Sequence, residues 1–250
     1  MHDKFPKIIH QVWHVMPGGQ PNIPEKWLPS QKRWKELHPD HEYILWTNEK
    51  SRDYISRVEP TFLKTYDNLE YEIQRIDAIR YVFLKHMGGI YCDLDLEPSC
   101  NIIDKITTDA PLYLIKADYK PYRYRNDFMI SKPGVKFWDI CLEMIKTRAT
   151  YVPLGNAKKV LTLTGPHMLT EASSISQDDI CHLNTRFSSA THKCGYFKSL
   201  GGRSWIGWDF KIYNGINENK GYVIMIIIIV LMIVITNVSV AYIMFRGNKI

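Results

Sequence analysis

The sequence predicts an α/β fold with a mainly parallel sheet, followed by one C-terminal transmembrane helix. Strand-like and helix-like segments alternate along about 220 residues, which is the length of one ordinary domain. A helix-like segment ends at a Gly-Gly pair and leads directly into the acidic stretch GGIYCDLDLEP, at Gly88–Pro98. Near the C-terminus, a long apolar stretch carries no charged residue. These three observations lead to the prediction.

The composition is that of a folded, weakly basic protein. Of its 250 residues, 45% are hydrophobic and 12% aromatic, and the net charge is +6. The basic residues are scattered, so no nucleic-acid surface is predicted. This pattern does not exclude a basic pocket that binds phosphates. The five cysteines are odd in number and lack CxxC spacing, which argues against a zinc site and against a fully paired disulfide framework. One or two disulfide bridges are still compatible with the sequence.

The N-terminal region predicts a strand, a helix and a second strand. Residues Ile8–Trp13 alternate as a first strand and lead into a loop rich in Gly and Pro. The apolar residues of Glu25–Leu37 recur near helical spacing, and Tyr43–Trp46 is typical of a short strand. This order begins a βαβ unit, in which ligands bind beyond the carboxyl ends of the strands.

The next predicted helix leads into the acidic stretch. Between Leu69 and Met87 the apolar residues follow a helical period, and the Gly88–Gly89 pair supplies the C-terminal stop. Later strands are predicted at Leu112–Lys116 and Phe128–Ser131, and a helix at Gly134–Lys146.

Three acids alternate within the acidic stretch. In an extended strand Asp93, Asp95 and Glu97 would lie on one face. Neighbouring carboxylates repel one another, so the cluster is either exposed to water or organised around a cation. Its position at the carboxyl end of a strand favours the cation. Two oxygen ligands suit Mg²⁺ or Mn²⁺ shared with a substrate diphosphate, whereas zinc prefers His or Cys.

The C-terminal stretch Gly221–Phe245 is predicted to cross a membrane. It is uncharged and is flanked by Lys220 and Arg246. As a helix it would measure roughly 37 Å, more than the about 30 Å of a bilayer core. The predicted organisation is a globular domain at 1–219, a transmembrane helix at 221–245 and a short tail at 246–250.

Four segments, in their order and separations, resemble one glycosyltransferase family. They are FPKIIHQVWHV, WKELHPDHEYILWTNE, IDAIRYVFLKHMGGIYCDLDLEP and LTGPHMLT. The family includes the fungal initiating α-1,6-mannosyltransferase and the catalytic subunits that mannosylate inositol phosphorylceramide. The sugar-transferase domains of large glucosylating bacterial toxins are more distant relatives. The resemblance covers most of residues 5–210 and is strongest from Asp77 to Pro98.

The resemblance implies a GT-A type, Rossmann-like domain that binds a nucleotide sugar and a divalent metal and transfers the sugar with retention of configuration. It implies that Asp93 and Asp95 hold the metal and the donor and that His192 completes the metal shell. Arg80 would bind the sugar hydroxyls or the diphosphate of the donor and act with the two aspartates in catalysis. Trp13 would stack near the nucleotide base. The other residues that it places around the donor are Asp77, Asn126, the motif Thr164–Pro166, Ser204 and Trp205.

The leading hypothesis is therefore a membrane-anchored glycosyltransferase that uses Mn²⁺ or Mg²⁺. Its donor is expected to be GDP-mannose, and its acceptor a glycan or an inositol phosphorylceramide-type lipid. UDP-glucose or UDP-galactose is the alternative donor. A Golgi or ER-type membrane is expected, with the side of the active site left open because the N-terminus shows no signal peptide. A regulatory subunit also stays open as a partner.

Two other classes of function compete with this hypothesis. The first is a catalytically silent, transferase-like binding subunit at the membrane. The intact acidic motif argues against it. The second is a metal-dependent phosphohydrolase, which would need more clustered Asp and His ligands than the sequence offers.

Several single residues also have a simpler interpretation. The residues Asp77 and Arg80 are three apart, which by itself is typical of a surface ion pair on a helix. The indole of Trp46 is expected in the core, and His10 and His14 as histidines satisfied by hydrogen bonds.

Overall fold

The structure is a computed structural model that describes residues 5–117, 123–149, 156–184, 187, 195–202 and 220–247. The chain divides into two compact units, namely residues 1–154 with 158–205, and residues 155–157 with 206–250. The functional residues that the structure describes all belong to the first unit.

The first unit contains the strands and most of the helices. The strands are β1 (Ile8–Val12), β2 (Glu42–Trp46), β3 (Gly89–Cys92), β4 (Leu96–Pro98), β5 (Leu112–Lys116), β6 (Tyr124–Ser131), β7 (Ile180–Leu183) and β8 (Phe197–Ser199). The helices within the described residues are α1 (Leu28–Leu37), α2 (Asn48–Val58), α3 (Pro60–Asp67), α4 (Glu72–His86), α5 (Phe137–Arg148), α6 (Asn156–Leu163), α7 (Pro166–Ile175) and α8 (Lys220–Gly247). Short 3-10 turns lie at Glu25–Trp27 and Ile103–Lys105.

Six strands form the main sheet, in the order β2-β1-β3-β6-β5-β7. The β1 strand pairs in parallel with β2 and β3, and β5 pairs in parallel with β7, while β6 runs antiparallel to both β3 and β5. The sheet is therefore mostly parallel, as predicted. Strands β4 and β8 form a separate antiparallel pair.

Both faces of the main sheet are buried at its centre. Along β3, Tyr91 packs into a core with α4, α5 and α7, whereas Ile90 and Cys92 pack into a second core that contains Trp34 of α1. Burial on both faces explains why β3 is apolar throughout and why β5 is apolar except for the exposed Lys116 at its end. The four cysteines that the structure describes are free thiols.

Most predicted elements are found, with shifted ends. The strand predicted at Leu112–Lys116 has those bounds, and the predicted stop of α4 is confirmed by left-handed φ angles of 66° at Gly88 and 92° at Gly89. One of these shifts changes the place of a predicted site residue. Strand β6 begins at Tyr124, so Asn126 lies within this strand and does not precede it.

The prediction of one continuous acidic strand was also wrong. Strand β3 ends at Cys92, the chain turns at Asp93–Asp95, and β4 begins at Leu96 in the other sheet. A hydrogen bond from Leu96 N–H to the Asp93 carbonyl, with 3.1 Å between N and O, closes the turn. Strict alternation along one strand therefore does not bring the acids together.

The C-terminal helix α8 has 28 residues, and the large apolar side chains described along it are exposed. No helix within the described ranges combines the length and the hydropathy that crossing a bilayer requires. The transmembrane helix predicted at 221–245 is therefore not confirmed.

Candidate active site

The candidate site lies where β3 ends and β6 begins. Because β6 runs antiparallel to β3, its first residues lie beside the last residues of β3, and Cys92 pairs with Phe128. One step beyond this pair, the Asp93 N–H donates to the Asp127 carbonyl at 2.9 Å. The acidic turn after β3 is thus attached to a strand that the sequence predicted only in part.

Arg80 of α4 is the central cation of the site. Its side chain is 3% exposed. One guanidinium nitrogen, Nη2, lies 3.0 Å from Asp77 Oδ1, and the other, Nη1, lies 3.4 Å from Asp93 Oδ1. Nη1 also donates to the Asn126 carbonyl at 2.6 Å, and the guanidinium stacks over the Tyr91 ring at 4.5 Å. Arg80 therefore joins α4, β3 and β6 at one point.

Asp77 is buried beneath this cation, so its pairing with Arg80 is not an ordinary surface ion pair. Asn126 Nδ2 donates to Asp77 Oδ1 at 3.0 Å, and the Thr164 hydroxyl donates to Oδ2 at 3.0 Å. Burial raises the pKa of Asp77 to about 6, while Arg80, Thr164 and Asn126 act in the opposite direction. The structure thus brings together three predicted positions, one from each of three distant segments.

The two acids of the motif lie at the open side of the cluster. The Asp93 side chain is 33% exposed, and the Tyr91 hydroxyl donates to its Oδ1. Burial raises the pKa of Asp93 to about 7; the Arg80 charge opposes this shift, and the charges of Asp95 and Asp127 add to it. Burial also raises the pKa of Asp95, with repulsion from Asp127 as the next cause. Three carboxylates therefore repel one another at the end of β3.

Asp127 is the acid that the sequence reasoning missed. Arg125, two residues earlier on the same strand, donates to its carboxylate from both Nε and Nη2. The available signal was the acid in NDFMI, immediately before an apolar strand, next to the noted Asn126. Its importance follows only from the antiparallel pairing of β6 with β3, which places it beside Asp93.

The charges of the cluster fit a divalent cation. Among the described residues of the cluster, four aspartates (Asp77, Asp93, Asp95 and Asp127) face two arginines (Arg80 and Arg125). When all are ionised, two negative charges stay uncompensated, and the ligands on offer are hard oxygens, as Mg²⁺ and Mn²⁺ prefer. The described residues do not include a group of three His, Cys, Asp or Glu side chains placed to hold a metal ion, so further ligands would come from substrate or water.

An aromatic pair lies at the end of β1. The ring of Trp13 meets the ring of Trp27 edge-to-face, with 5.7 Å between centroids, and both rings are half-buried. The indole nitrogen of Trp13 donates to the Pro21 carbonyl at 3.0 Å, which fixes the ring against the loop that follows β1. Such a surface suits a flat, stackable ligand group.

The remaining candidates divide into three groups. His192, Ser204 and Trp205 lie outside the described residues. Glu97 is in β4 and pairs with Lys198 of β8, at 3.3 Å between Oε2 and Nζ. The core residues expected from the sequence, Trp46, His10 and His14, are buried, and each makes hydrogen bonds.

The segment that carries the acidic motif is similar to a known protein family. Residues 24–113 match the family described as "Glycosyltransferase sugar-binding region containing DXD motif", and this range contains Asp77, Arg80, Asp93 and Asp95. The predicted resemblance to a DXD glycosyltransferase family is confirmed over these residues.

Two curated relatives match parts of this chain. "Inositol phosphoceramide mannosyltransferase 3" of Schizosaccharomyces pombe is 49% identical over 97 residues, which are 39% of this chain and 25% of that protein. "Mannosyl phosphorylinositol ceramide synthase CSH1" of Saccharomyces cerevisiae is 32% identical over 210 residues, 80% of this chain and 53% of that protein. The chain therefore spans only a quarter to about half of the length of these two relatives.

The fold is similar to that of the solved "PaToxG Glycosyltransferase". The TM-score is 0.52 at 17% sequence identity, and the match covers 67% of each chain. This likeness confirms a GT-A-like α/β fold.

Proposed function

We propose that this chain is a metal-dependent, retaining glycosyltransferase that moves mannose from GDP-mannose onto an inositol phosphorylceramide-type lipid or a glycan. The observation that carries the proposal is the acidic cluster at the carboxyl end of β3, in which four aspartates face two arginines. Two arginines cannot pair with every oxygen of four carboxylates, so carboxylate oxygens remain available to bind a divalent cation.

The geometry supports a division of roles. When bound by Asp93 and Asp95, a divalent cation would stabilise the negative charge that develops on the leaving diphosphate. Arg80 keeps the Asp93 carboxylate in place and is itself fixed by Asp77 and the Asn126 carbonyl. This fixed arrangement avoids reorganisation when charge develops in the transition state.

The aromatic pair supports binding of the nucleotide. Trp13 and Trp27 offer ring surface at the carboxyl end of β1, one strand away from the acids. A base stacked there would place its diphosphate toward the end of β3, where the cation is proposed. The base of UDP-glucose or UDP-galactose would stack on the same surface, so a donor assay is needed to identify the nucleotide and the sugar.

The acceptor is proposed from the relatives. Two of them carry names that specify an inositol phosphoceramide or a phosphorylinositol ceramide. A lipid of this kind is held in a membrane, so the enzyme must work at a bilayer surface.

A membrane anchor at 221–245, in a Golgi or ER-type membrane, is part of the proposal. The structure confirms no span there, so the anchor rests on the uncharged sequence and on the exposed apolar side chains of α8.

The first experiment measures release of nucleoside diphosphate by the full chain in detergent, with inositol phosphorylceramide as acceptor. The donors are GDP-mannose, UDP-glucose, UDP-galactose and UDP-N-acetylglucosamine, each with and without Mn²⁺. We expect turnover of GDP-mannose that requires Mn²⁺ and is lost in the double variant Asp93→Asn, Asp95→Asn.

Glu97→Gln is the matched control, because Glu97 lies in the same acidic stretch but belongs to the separate β4–β8 sheet, where it pairs with Lys198. It should keep the activity. Turnover of a UDP-sugar instead would change the donor and keep the class. A folded chain that turns over none of the four donors would favour the binding-subunit alternative.

A further inference from the structure

Gly202 lies directly against the second acid of the motif. Its backbone N–H donates to the Asp95 carboxylate, and a Cβ atom placed on Gly202 would stand 2.4 Å from Asp95 Oδ2. The same segment also holds the backbone of Asp95, since the Leu200 N–H donates to the Asp95 carbonyl at 2.7 Å. Asp95 is therefore held at both its backbone and its side chain by residues 200–202.

This segment is itself fixed on two sides. On one side it continues β8, whose Ser199 pairs with Leu96 of β4 directly after the acidic turn. On the other side, the Gly201 carbonyl accepts from Lys26 Nζ at 2.8 Å and from the Trp27 indole nitrogen at 3.3 Å. The segment thus bridges the acidic turn and the helical turn at Glu25–Trp27.

Trp27 extends the connection to the aromatic pair, because its ring packs against Trp13. A continuous set of contacts runs from Trp13 through Trp27, Gly201 and Gly202 to Asp95. The proposed base-binding surface and the proposed cation ligand are therefore joined by one short piece of backbone.

We propose that Leu200–Gly202 form a glycine latch that positions the Asp95 carboxylate for the cation and couples it to the nucleotide side of the site. A carboxylate has two oxygens and about four lone-pair directions, so Asp95 can accept the Gly202 N–H and still bind a cation. Gly202 is a positioning residue in this arrangement, and the inference rests on the proposed metal-dependent function.

Space, and not backbone conformation, explains the glycine at 202. Its φ lies outside the left-handed region, whereas Gly201 has a φ of 73° and open space around its missing Cβ. An alanine at 202 would meet the carboxylate without straining the backbone. The substitution Gly202→Ala therefore displaces Asp95 specifically.

The test measures Mn²⁺ binding to the full chain by the electron paramagnetic resonance signal of free Mn²⁺, in the presence of GDP or of UDP. We expect Gly202→Ala to weaken Mn²⁺ binding by about 10-fold or more, the size of effect seen when a group that orients a metal ligand is removed. Lys26→Ala and Trp27→Phe, which each remove one donor to Gly201, should weaken it in the same direction.

Lys32→Ala is the matched control. Lys32 lies on α1, with its side chain 79% exposed and a distant partner, Glu36, at 3.8 Å. Its Mn²⁺ affinity should equal that of the original chain.

Each other outcome has a distinct meaning. Equal Mn²⁺ affinity in the original chain and in folded Gly202→Ala overturns the latch and leaves the proposed function standing. If Gly202→Ala does not fold, unchanged affinity in both Lys26→Ala and Trp27→Phe overturns it. Absence of Mn²⁺ binding by the original chain with either nucleotide overturns the proposed function itself.

Discussion

His10 shows how one buried polar side chain can make the stability of this protein depend on pH. Its ring lies in β1, stacked on Phe83 with 4.3 Å between ring centres. The Trp46 indole donates to Nδ1 at 3.0 Å, so Nε2 is the nitrogen that donates to the Gly88 carbonyl at 2.9 Å. Both hydrogen bonds suit the neutral ring, and burial lowers the pKa of His10 to about 3.

This pKa predicts a loss of stability in mild acid. In the unfolded chain His10 takes up a proton below its ordinary pKa of 6.5, whereas the folded chain keeps it neutral down to about pH 3. The unfolded state therefore binds more protons in this window, and the free energy of unfolding falls as the pH falls, by about 1.4 kcal/mol per unit. Urea unfolding at pH 7 and pH 5 should show a His10 contribution of about 2 kcal/mol.

His10→Gln supplies the comparison for that measurement. It keeps a hydrogen-bonding side chain but loses the ring that stacks on Phe83, so it should be less stable at pH 7. Because glutamine does not titrate, the variant should lose less stability between pH 7 and pH 5. Histidines elsewhere affect both proteins equally and cancel in the difference. An identical pH dependence in the two proteins would show that His10 titrates normally in the folded state.

At the scale of elements, the turn from α4 to β3 places the acidic cluster. Gly88 has a φ of 66°, and a Cβ atom there would stand 2.7 Å from the Ser131 carbonyl oxygen at the end of β6. Gly89 has a φ of 92°, and a Cβ atom there would stand 2.6 Å from the Ile8 carbonyl oxygen of β1. The two glycines thus allow β3 to enter between β1 and β6.

Gly88→Ala is therefore expected to destabilise the protein strongly. Gly134 is the matched control, because it also has a left-handed φ, 76°, but open space around its missing Cβ. Gly134→Ala should cost about 1 to 2 kcal/mol from backbone strain alone. Gly88→Ala should cost about 1 to 3 kcal/mol more, because of the clash. Denaturant unfolding of the two variants measures the difference, and equal losses would mean that the turn adapts to a side chain.

The acidic cluster also shows which part of the site the sequence could predict. Asp77, Arg80, Asp93 and Asp95 were found because they lie close together along the chain and match a family pattern. Asp127 was missed because its closeness to Asp93 comes from strand pairing, which local sequence does not contain. The turn at Asp93–Asp95 was missed for a related reason. The chain leaves the main sheet after β3 because β4 pairs with β8, a hundred residues later.

At the scale of the whole molecule, periodicity predicted the layers of the fold better than their order. Alternating strands and helices led correctly to a mostly parallel sheet. The position of β6 between β3 and β5 could not be predicted in this way, since an apolar strand buried on both faces has the same pattern in either direction. This reversed strand brings Arg125 and Asp127 to the site.

Membrane attachment is the remaining whole-molecule prediction. Ile229 and Ile233 lie near the middle of 221–245, four residues apart on one face of α8. Each arginine at the centre of a bilayer-spanning helix costs about 2.5 to 3.5 kcal/mol. The double variant Ile229→Arg, Ile233→Arg should therefore be released from membranes by alkaline carbonate, whereas the original chain stays in the pellet. Ile175→Arg, at an isoleucine that is 61% exposed on α7, should behave like the original chain. Release of the original chain by carbonate would exclude an anchor at 221–245, and the lipid acceptor would then have to be reached from solution.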